Sequence, residues 1–215
     1  MIGIDINCDL GECNDEAGLE RELSTLPLIT SVNVCCGFHS GRTEYIERII
    51  EEAIDLKLNI GAHPSYPDRA GFGRRPMEIA PPELKNLLQI QIEKIRDLCR
   101  KKGGQLTYVK PHGALYNKIM EDEAEAGLVV GLIKEYEGEL ALMGLPNTVL
   151  QQMAENSGVR YIAEGFIDRT YQPNGQLMNR SEAGAVIEDA ENAVIQAGLL
   201  ARDKVILVDG ERISM

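Results

Sequence analysis

The sequence predicts an α/β protein, a (β/α) barrel with about seven parallel strands. Short apolar runs alternate with longer segments of helical periodicity, and this alternation is typical of parallel strands flanked by helices. The glycine-rich fingerprints of dinucleotide-binding and phosphate-binding loops, G-x-G-x-x-G and G-x4-G-K-[ST], are both absent. A barrel is therefore favoured over an open doubly wound sheet, as one domain over residues 1–215.

Seven apolar runs have the length and composition of strands. They are 2–7, 31–36, 58–63, 106–111, 139–144, 159–165 and 204–209. The segments between them carry apolar residues at helical spacing; Ile46, Ile49 and Ile50, for example, share one stripe. Helices are predicted over 43–57, 82–102, 122–135, 147–156 and 182–202.

The composition is ordinary for a soluble globular protein, with 44% hydrophobic and 26% charged residues. A formal net charge of −12 argues against nucleic acid and anionic membranes as partners, because both need a basic face. No apolar stretch reaches about 18 residues, and the N-terminus has no basic segment, so neither a transmembrane helix nor a signal peptide is expected. Five cysteines without a secretory signal indicate reduced thiols and a cytoplasmic location.

All three histidines follow apolar runs and lie close to Gly or Pro. His39 lies in CCGFHSG, His63 in GAHPSYPD and His112 in VKPHGALYN. Reactive groups of parallel α/β folds collect at the carboxyl ends of the strands, so we expect the three imidazoles to line one mouth. The same strands and strand ends carry further polar candidates, namely Asn7, Asp9, Glu12, Asn33, Lys110, Tyr116, Asp168 and Arg169.

Each candidate also has a purely structural interpretation. A single histidine after a strand is more often a loop or core residue, although three of three are harder to explain in that way. Lys110 and Asp9 could form a structural ion pair, since either charge is costly to bury alone. Tyr116 could simply belong to the start of a helix, and Arg169 could bind backbone carbonyls.

The residue types at these strand ends suit several kinds of chemistry. Neutral histidine beside aspartate supports general acid–base catalysis near neutral pH. Asp9, His63 and His112 together would also suit a divalent metal, zinc especially. Lys110 suits an anionic substrate group or a developing oxyanion. No G-x-S-x-G elbow is present, which argues against a serine hydrolase.

Five stretches carry a resemblance to a known family: DINCDLGE, SVNVCCGFHSG, IGAHPSYPDRAGFGRR, VKPHGALYN and AEGFIDRTYQPNGQLMNR. In these, which span residues 5 to 180, the chain is similar to the LamB/YcsF family. The resemblance implies a barrel of the glycoside hydrolase/deacetylase type with an incomplete wall. It also implies the ATP-dependent opening of 5-oxo-L-proline to L-glutamate, together with 5-oxoprolinase B and C subunits.

With that resemblance, we expect catalytic roles for Asp9, His39, His63, Lys110 and His112, and substrate contacts from Asn7, Glu12, Asn33, Tyr116, Asp168 and Arg169. ATP with Mg²⁺ is the implied cosubstrate, and without a recognisable phosphate loop its site would be atypical or shared with partner subunits. A divalent metal in the barrel and a homo-oligomer are left open.

The chain departs from the family pattern in three places. Arg42 stands where the family commonly has Asp, and Asp209-Gly210 follows the last predicted strand without the usual preceding His. The C-terminal closing element is expected to be short or missing. Two other functions stay open: a metal-dependent deacetylase or carbohydrate hydrolase on the same barrel, and a non-catalytic scaffold for partner subunits.

Overall fold

The structure is a computed structural model that describes residues 4–203, 205–208 and 211–214. The chain forms two compact units. The first comprises Met1–Gly144 and Val149–Ile162, and the second comprises Leu145–Thr148 and Ala163–Met215. That residues 1–215 behave as one domain stays a prediction.

A six-stranded sheet forms the centre of the first unit. Its strands are β1 (Asn7–Leu10), β2 (Ser31–Cys35), β3 (Asn59–His63), β4 (Leu106–Val109), β5 (Ala141–Gly144) and β6 (Tyr161–Ala163). The spatial order is β1-β2-β3-β4-β5-β6, and the registered pairs from β1 to β5 are parallel. Each strand therefore lies beside its predecessor, as in the wall of a β/α barrel, with no reversal of a doubly wound sheet. The predicted parallel α/β fold is confirmed.

Helices connect these strands. They are α1 (Glu16–Thr25), a 3-10 turn (Leu26–Leu28), α2 (Thr43–Asp55), α3 (Pro81–Lys101), α4 (Gly113–Glu121), α5 (Glu123–Lys134) and α6 (Val149–Asn156). Local chemistry fixes their ends. The Asp122 side chain accepts from the first-turn amides of α5, and Gly103, at φ +79, follows the end of α3 in a left-handed conformation.

The core of the first unit lies between the sheet and the helices. Residues of β2 are all buried, and Ile46, Ile49, Ile50 and Ala53 of α2 are fully buried on the stripe that the sequence predicts. Buried apolar area of this kind is the main stabilising contribution of a parallel sheet. No helix among the described residues has the length and apolarity to cross a bilayer.

The second unit contains α7 (Ala190–Asp203) and a hairpin of β7 (Val205–Val208) and β8 (Glu211–Ser214). The segment before α7 is held by side chains of that unit. Gln196 donates to the carbonyl oxygens of Phe166 and Arg169 at 2.7 and 2.8 Å.

Some predicted elements differ from the structure. The first strand covers Asn7–Leu10 rather than 2–7, and residues 1–3 lie outside the described residues. The seventh predicted strand, 204–209, was expected in the parallel sheet, but Val205–Val208 pairs antiparallel with Glu211–Ser214. The described parallel sheet therefore has six strands.

The helix predictions also need corrections. The last helix begins at Ala190 rather than 182, because Gly184 has a left-handed φ of +80 and Asp189 caps the Asn192 amide. Helices α1 and α4 were not predicted.

Candidate active site

The strand ends of the first unit bring most of the predicted residues together. Asp9 in β1 lies in register with Asn33 in β2. His63 is the last residue of β3, Lys110 directly follows β4, and His112 directly precedes α4. Parallel strands end at the same edge of the sheet, so these side chains meet there.

Two imidazoles face each other at the centre of the site. His63 Nδ1 lies 2.6 Å from the Lys110 carbonyl oxygen, and His112 Nε2 lies 2.9 Å from the Phe72 carbonyl oxygen. A carbonyl oxygen only accepts, so each of these nitrogens carries a proton. The remaining nitrogens, His63 Nε2 and His112 Nδ1, are 2.9 Å apart. Two bare lone pairs would repel at that distance, so a proton or a cation has to lie between them.

The third imidazole poses the same requirement. The Ser65 hydroxyl donates to the Tyr66 carbonyl oxygen at 2.9 Å and accepts from His39 Nδ1 at 2.8 Å. His39 Nε2 is thereby left to accept, and it lies 2.9 Å from Glu12 Oε1. One proton must reside on this pair as well.

Glu12 links all three histidines. Its Oε1 atom lies 2.9 Å from His39 Nε2, 3.5 Å from His112 Nδ1 and 4.0 Å from His63 Nε2. The rings of His39 and His112 stack at a centroid separation of 3.9 Å and an interplanar angle of 4°. Asp9 approaches from the other side, with Oδ2 3.3 Å from His63 Nε2.

Burial and charge divide the histidines into one cation and two neutral rings. Burial lowers the pKa of His39 and of His112 to about 3, and the positive charge of His63 adds to this effect. Burial also opposes protonation of His63, but the adjacent carboxylates of Asp9 and Glu12 outweigh it and raise the pKa of His63. The proton between His63 and His112 therefore belongs to His63.

The two carboxyl groups shift in opposite directions. Burial raises the pKa of Glu12 despite the nearby charges of His63 and His112. Burial opposes ionisation of Asp9 as well, yet the positive charges of His63 and Lys110 hold its pKa well below the usual range. Paired acids whose pKa values diverge suit one group that holds a proton and one that stays ionised.

A polar network fixes Asp9 and Lys110. Lys110 Nζ donates to Asp9 Oδ1 and to Asn7 Oδ1, both at 3.2 Å. Asn33 Nδ2 donates to the same two oxygens at 2.7 Å, and the Tyr108 hydroxyl donates to Asn33 Oδ1 at 2.6 Å. With Oδ1 engaged in this way, Asp9 presents Oδ2 to His63.

Glycines let the loops pack closely over the rings. Gly73 has a φ of +65, and a Cβ there would lie 2.9 Å from His112 Cδ2 and from His39 Cβ. A Cβ on Gly113, at φ +60, would clash with the Gly73 carbonyl oxygen. A side chain at either position would displace the loop that supplies the carbonyl acceptor for His112.

The site fits a divalent cation in the chemistry of its donors. Two candidate sets are present, Asp9–His63–His112 and Glu12–His39–His112, and the donor atoms within each set lie within 4.8 Å of one another. The second nitrogens of His63 and His112 donate to carbonyl oxygens, an arrangement that is usual for metal-bound histidine. A metal held there would supply Lewis-acid activation or a bound hydroxide.

Three predicted residues lie apart from this cluster or in the second unit. Tyr116 is buried in α4, and its amide donates to the His112 carbonyl oxygen at 3.3 Å. Asp168 and Arg169 belong to the second unit, where the Arg169 guanidinium donates to the carbonyl oxygens of Ala185 and Met178. Substrate binding by these three residues stays a prediction.

The departures from the family pattern have separate surroundings. Arg42 immediately precedes α2, is half exposed, and its guanidinium contacts Glu44 Oε1 at 3.9 Å and the Tyr45 ring. Asp209 and Gly210 lie outside the described residues.

Sequence reasoning missed the residues that orient the predicted ones. Ser65 and Phe72 hold His39 and His112, and Tyr108 holds Asn33. Ser65 and Phe72 lie within the stretch IGAHPSYPDRAGFGRR, which gave a signal for their region but not for their contacts. Tyr108 is in a strand whose aromatic residue is indistinguishable in sequence from an ordinary core tyrosine.

Comparisons with known proteins agree on one family. The LamB/YcsF family model matches residues 4–215. The 5-oxoprolinase A-type subunit of Staphylococcus haemolyticus is 40% identical over 213 residues, which are 99% of this chain and 85% of the relative. The corresponding 5-oxoprolinase subunit of Methylococcus capsulatus is 39% identical over 99% of this chain and 82% of the relative. The crystal structure of a lactam utilization protein from Thermus thermophilus superimposes with a TM-score of 0.90 at 34% identity, covering 100% of this chain and 87% of that one.

Proposed function

The chain belongs to the LamB/YcsF family, and on that basis we propose that it is a 5-oxoprolinase subunit that takes part in opening the lactam of 5-oxo-L-proline to L-glutamate. The relatives from Staphylococcus haemolyticus and Methylococcus capsulatus are named as 5-oxoprolinase subunits, and the solved neighbour is named a lactam utilization protein. The observation that carries the proposal is the meeting of His63 and His112 at 2.9 Å beside Asp9 and Glu12.

Lactam opening needs three things that this site can supply in part. A water oxygen adds to the ring carbonyl carbon, the carbon–nitrogen bond breaks, and the nitrogen leaves as an amine after it accepts a proton. The charged His63, held by Asp9, is suited to donate that proton or to stabilise the developing oxyanion. His39, neutral and hydrogen-bonded to Glu12, is suited to accept a proton from the attacking water.

The lactam is an unstrained amide, so the carbonyl needs further activation. ATP can provide it by phosphorylating the amide oxygen, and we propose that ATP with Mg²⁺ binds at a site completed by B and C partner subunits. Lys110 is placed beside the carboxylate network and would compensate negative charge of the substrate or of the phosphorylated oxygen. A cytoplasmic location is part of the same proposal and rests on the five free cysteines.

Turnover of 5-oxoproline and ATP, with and without candidate B and C subunits, tests this function. We expect glutamate formation with all three subunits and loss of it when this chain is omitted. Full turnover by B and C without this chain would overturn the catalytic role. Equal activity of His63→Gln and wild-type complexes would instead indicate a scaffold.

A metal-dependent hydrolase on the same site is the second candidate. The observation that favours it is the convergence of acceptor atoms from Asp9, His63 and His112, whose other faces are already engaged. Metal analysis of the purified chain separates the two functions. Stoichiometric zinc together with deacetylation of an N-acetylated sugar would favour the second candidate over lactam opening.

A further inference from the structure

Glu22, on α1, binds the loop that follows β1 through three consecutive amides. Its Oε2 atom accepts from the Gly11 amide at 2.6 Å, and its Oε1 atom accepts from the amides of Glu12 and Cys13 at 3.1 and 2.9 Å. These are charge-assisted hydrogen bonds across 9 to 11 positions of sequence, so they fix the loop relative to α1. No other role in the site accounts for this half-buried carboxylate.

The loop that Glu22 binds carries the carboxylate that links the three histidines. The Glu12 amide donates to Glu22, and the Glu12 carbonyl oxygen accepts from the Ser40 hydroxyl at 2.5 Å. Both sides of the Glu12 main chain are therefore held, and its side chain extends from this anchor to His39 and His112. A small shift of the anchor would change both contacts.

The packing of α1 against the same loop is a second, independent observation. A Cβ on Gly18 of α1 would lie 2.7 Å from Cys13 Cβ, so the first turn of the helix directly contacts the loop. Gly11, at φ +80, gives the chain the left-handed turn that presents its amide to Glu22. A helix that touches the loop and also binds three of its amides is built to hold it in one position.

We propose that Glu22 is a positioning residue for the active site: it sets the place at which the Glu12 carboxylate meets His39 and His112. Its effect on turnover rests on the proposed function, whereas its effect on the histidine contacts does not. The residue has no direct contact with the imidazoles, so it would act through the main chain of Glu12 alone.

The three histidines of the chain give a direct readout. Long-range ¹H–¹⁵N spectra report which nitrogen of each ring is protonated and hydrogen-bonded. Glu22→Gln places an amide group against backbone donors, while Glu20→Gln, on the exposed side of the same helix, removes the same charge as a matched control. We expect the His39 Nε2 signal to move in Glu22→Gln and to stay at the wild-type position in Glu20→Gln.

Folding and kinetics complete the test. If Glu22→Gln does not fold, Glu22→Asp keeps the charge and withdraws it by one methylene, and the same His39 shift is expected. In the complex, kcat should fall at least about tenfold while KM for 5-oxoproline stays within about threefold. Unchanged His39 signals in a folded Glu22 variant would overturn the proposal. Absence of wild-type turnover would overturn the proposed function, and the histidine spectra would still decide the role of Glu22.

Discussion

His112 Nδ1 lies 2.9 Å from His63 Nε2, although the other nitrogen of each ring already donates to a carbonyl oxygen. The two rings therefore share one proton, and the carboxylates beside His63 place it there. His112 is then the acceptor, held neutral by burial. A pair of this kind can pass a proton without either ring leaving its main-chain partner.

The shared proton predicts that both rings are needed for turnover. His63→Gln and His112→Gln should each lower kcat of the reconstituted complex by about 10²–10⁴-fold, the usual cost of losing a general acid or base. Both side chains are buried, so thermal melting must be measured in parallel. A loss of activity that merely follows the loss of folded protein would point to a structural role.

Zinc binding should compete with the same proton. A metal bound between Asp9, His63 and His112 requires neutral imidazoles, so we expect zinc affinity to rise with pH and each bound ion to release about one proton. Isothermal titration in buffers of different ionisation enthalpy measures that release. Asp9→Asn should weaken binding, whereas Glu47→Gln on the surface of α2 should not; zinc binding that is insensitive to Asp9→Asn would place the ion elsewhere.

Lys110 contributes to both the fold and the charge of the site. Lys110→Met leaves the oxygens of Asp9 and Asn7 with one donor fewer, and we expect a loss of about 1–3 kcal/mol in the free energy of unfolding. We also expect turnover to be abolished, and Lys110→Arg to restore it poorly, because a planar guanidinium does not replace a compact ammonium. Urea unfolding and kinetics of the complex measure the two effects.

A double variant separates the charge from the packing. Lys110→Met with Asp9→Asn removes both charges and should recover part of the lost stability, because no unpaired carboxylate is left. Near-normal kcat/KM in Lys110→Met would show that the lysine is only a structural ion-pair partner of Asp9.

The position of the histidines was predictable because one topological rule sufficed. Parallel strands end at one edge, so His63 after β3 and His112 after β4 had to be neighbours once the strands were recognised. Their partners were not predictable in the same way. The Phe72 carbonyl reaches His112 through a long loop whose path follows from Gly73 and Gly113, and no periodicity encodes that path.

Polar function also obscured one strand of the fold. The strand β1 carries Asn7 and Asp9, which break the apolar pattern that identifies strands, so the prediction moved to the apolar residues before them. At the other end, an apolar run at 204–209 resembles a buried parallel strand. The pairing of Val205–Val208 with Glu211–Ser214 depends on a local hairpin, and hydrophobicity alone does not distinguish the two.

The buried neutral histidines predict how stability depends on pH. In the unfolded chain His39 and His112 have pKa values of about 6.5, whereas burial lowers the pKa of each to about 3 in the folded protein. Between these values the unfolded state binds more protons, so the free energy of unfolding rises with pH and levels off above about 6.5. The pKa of His63 is raised, so its contribution is complete below pH 6.5 and is lost as the pH rises through its folded value.

Urea unfolding between pH 4.5 and 6.5 measures this slope. Each buried neutral histidine adds about 1.4 kcal/mol per pH unit, and the raised pKa values of Glu12 and Glu22 work in the opposite direction. The informative quantity is therefore a difference: the slope of His39→Gln should be lower than that of the wild type by about 1.4 kcal/mol per pH unit. Glu20→Gln should keep the wild-type slope. A His39→Gln slope equal to the wild type would mean that His39 is protonated in the folded protein, and the proton on the Glu12–His39 pair would then have to be assigned to the imidazole.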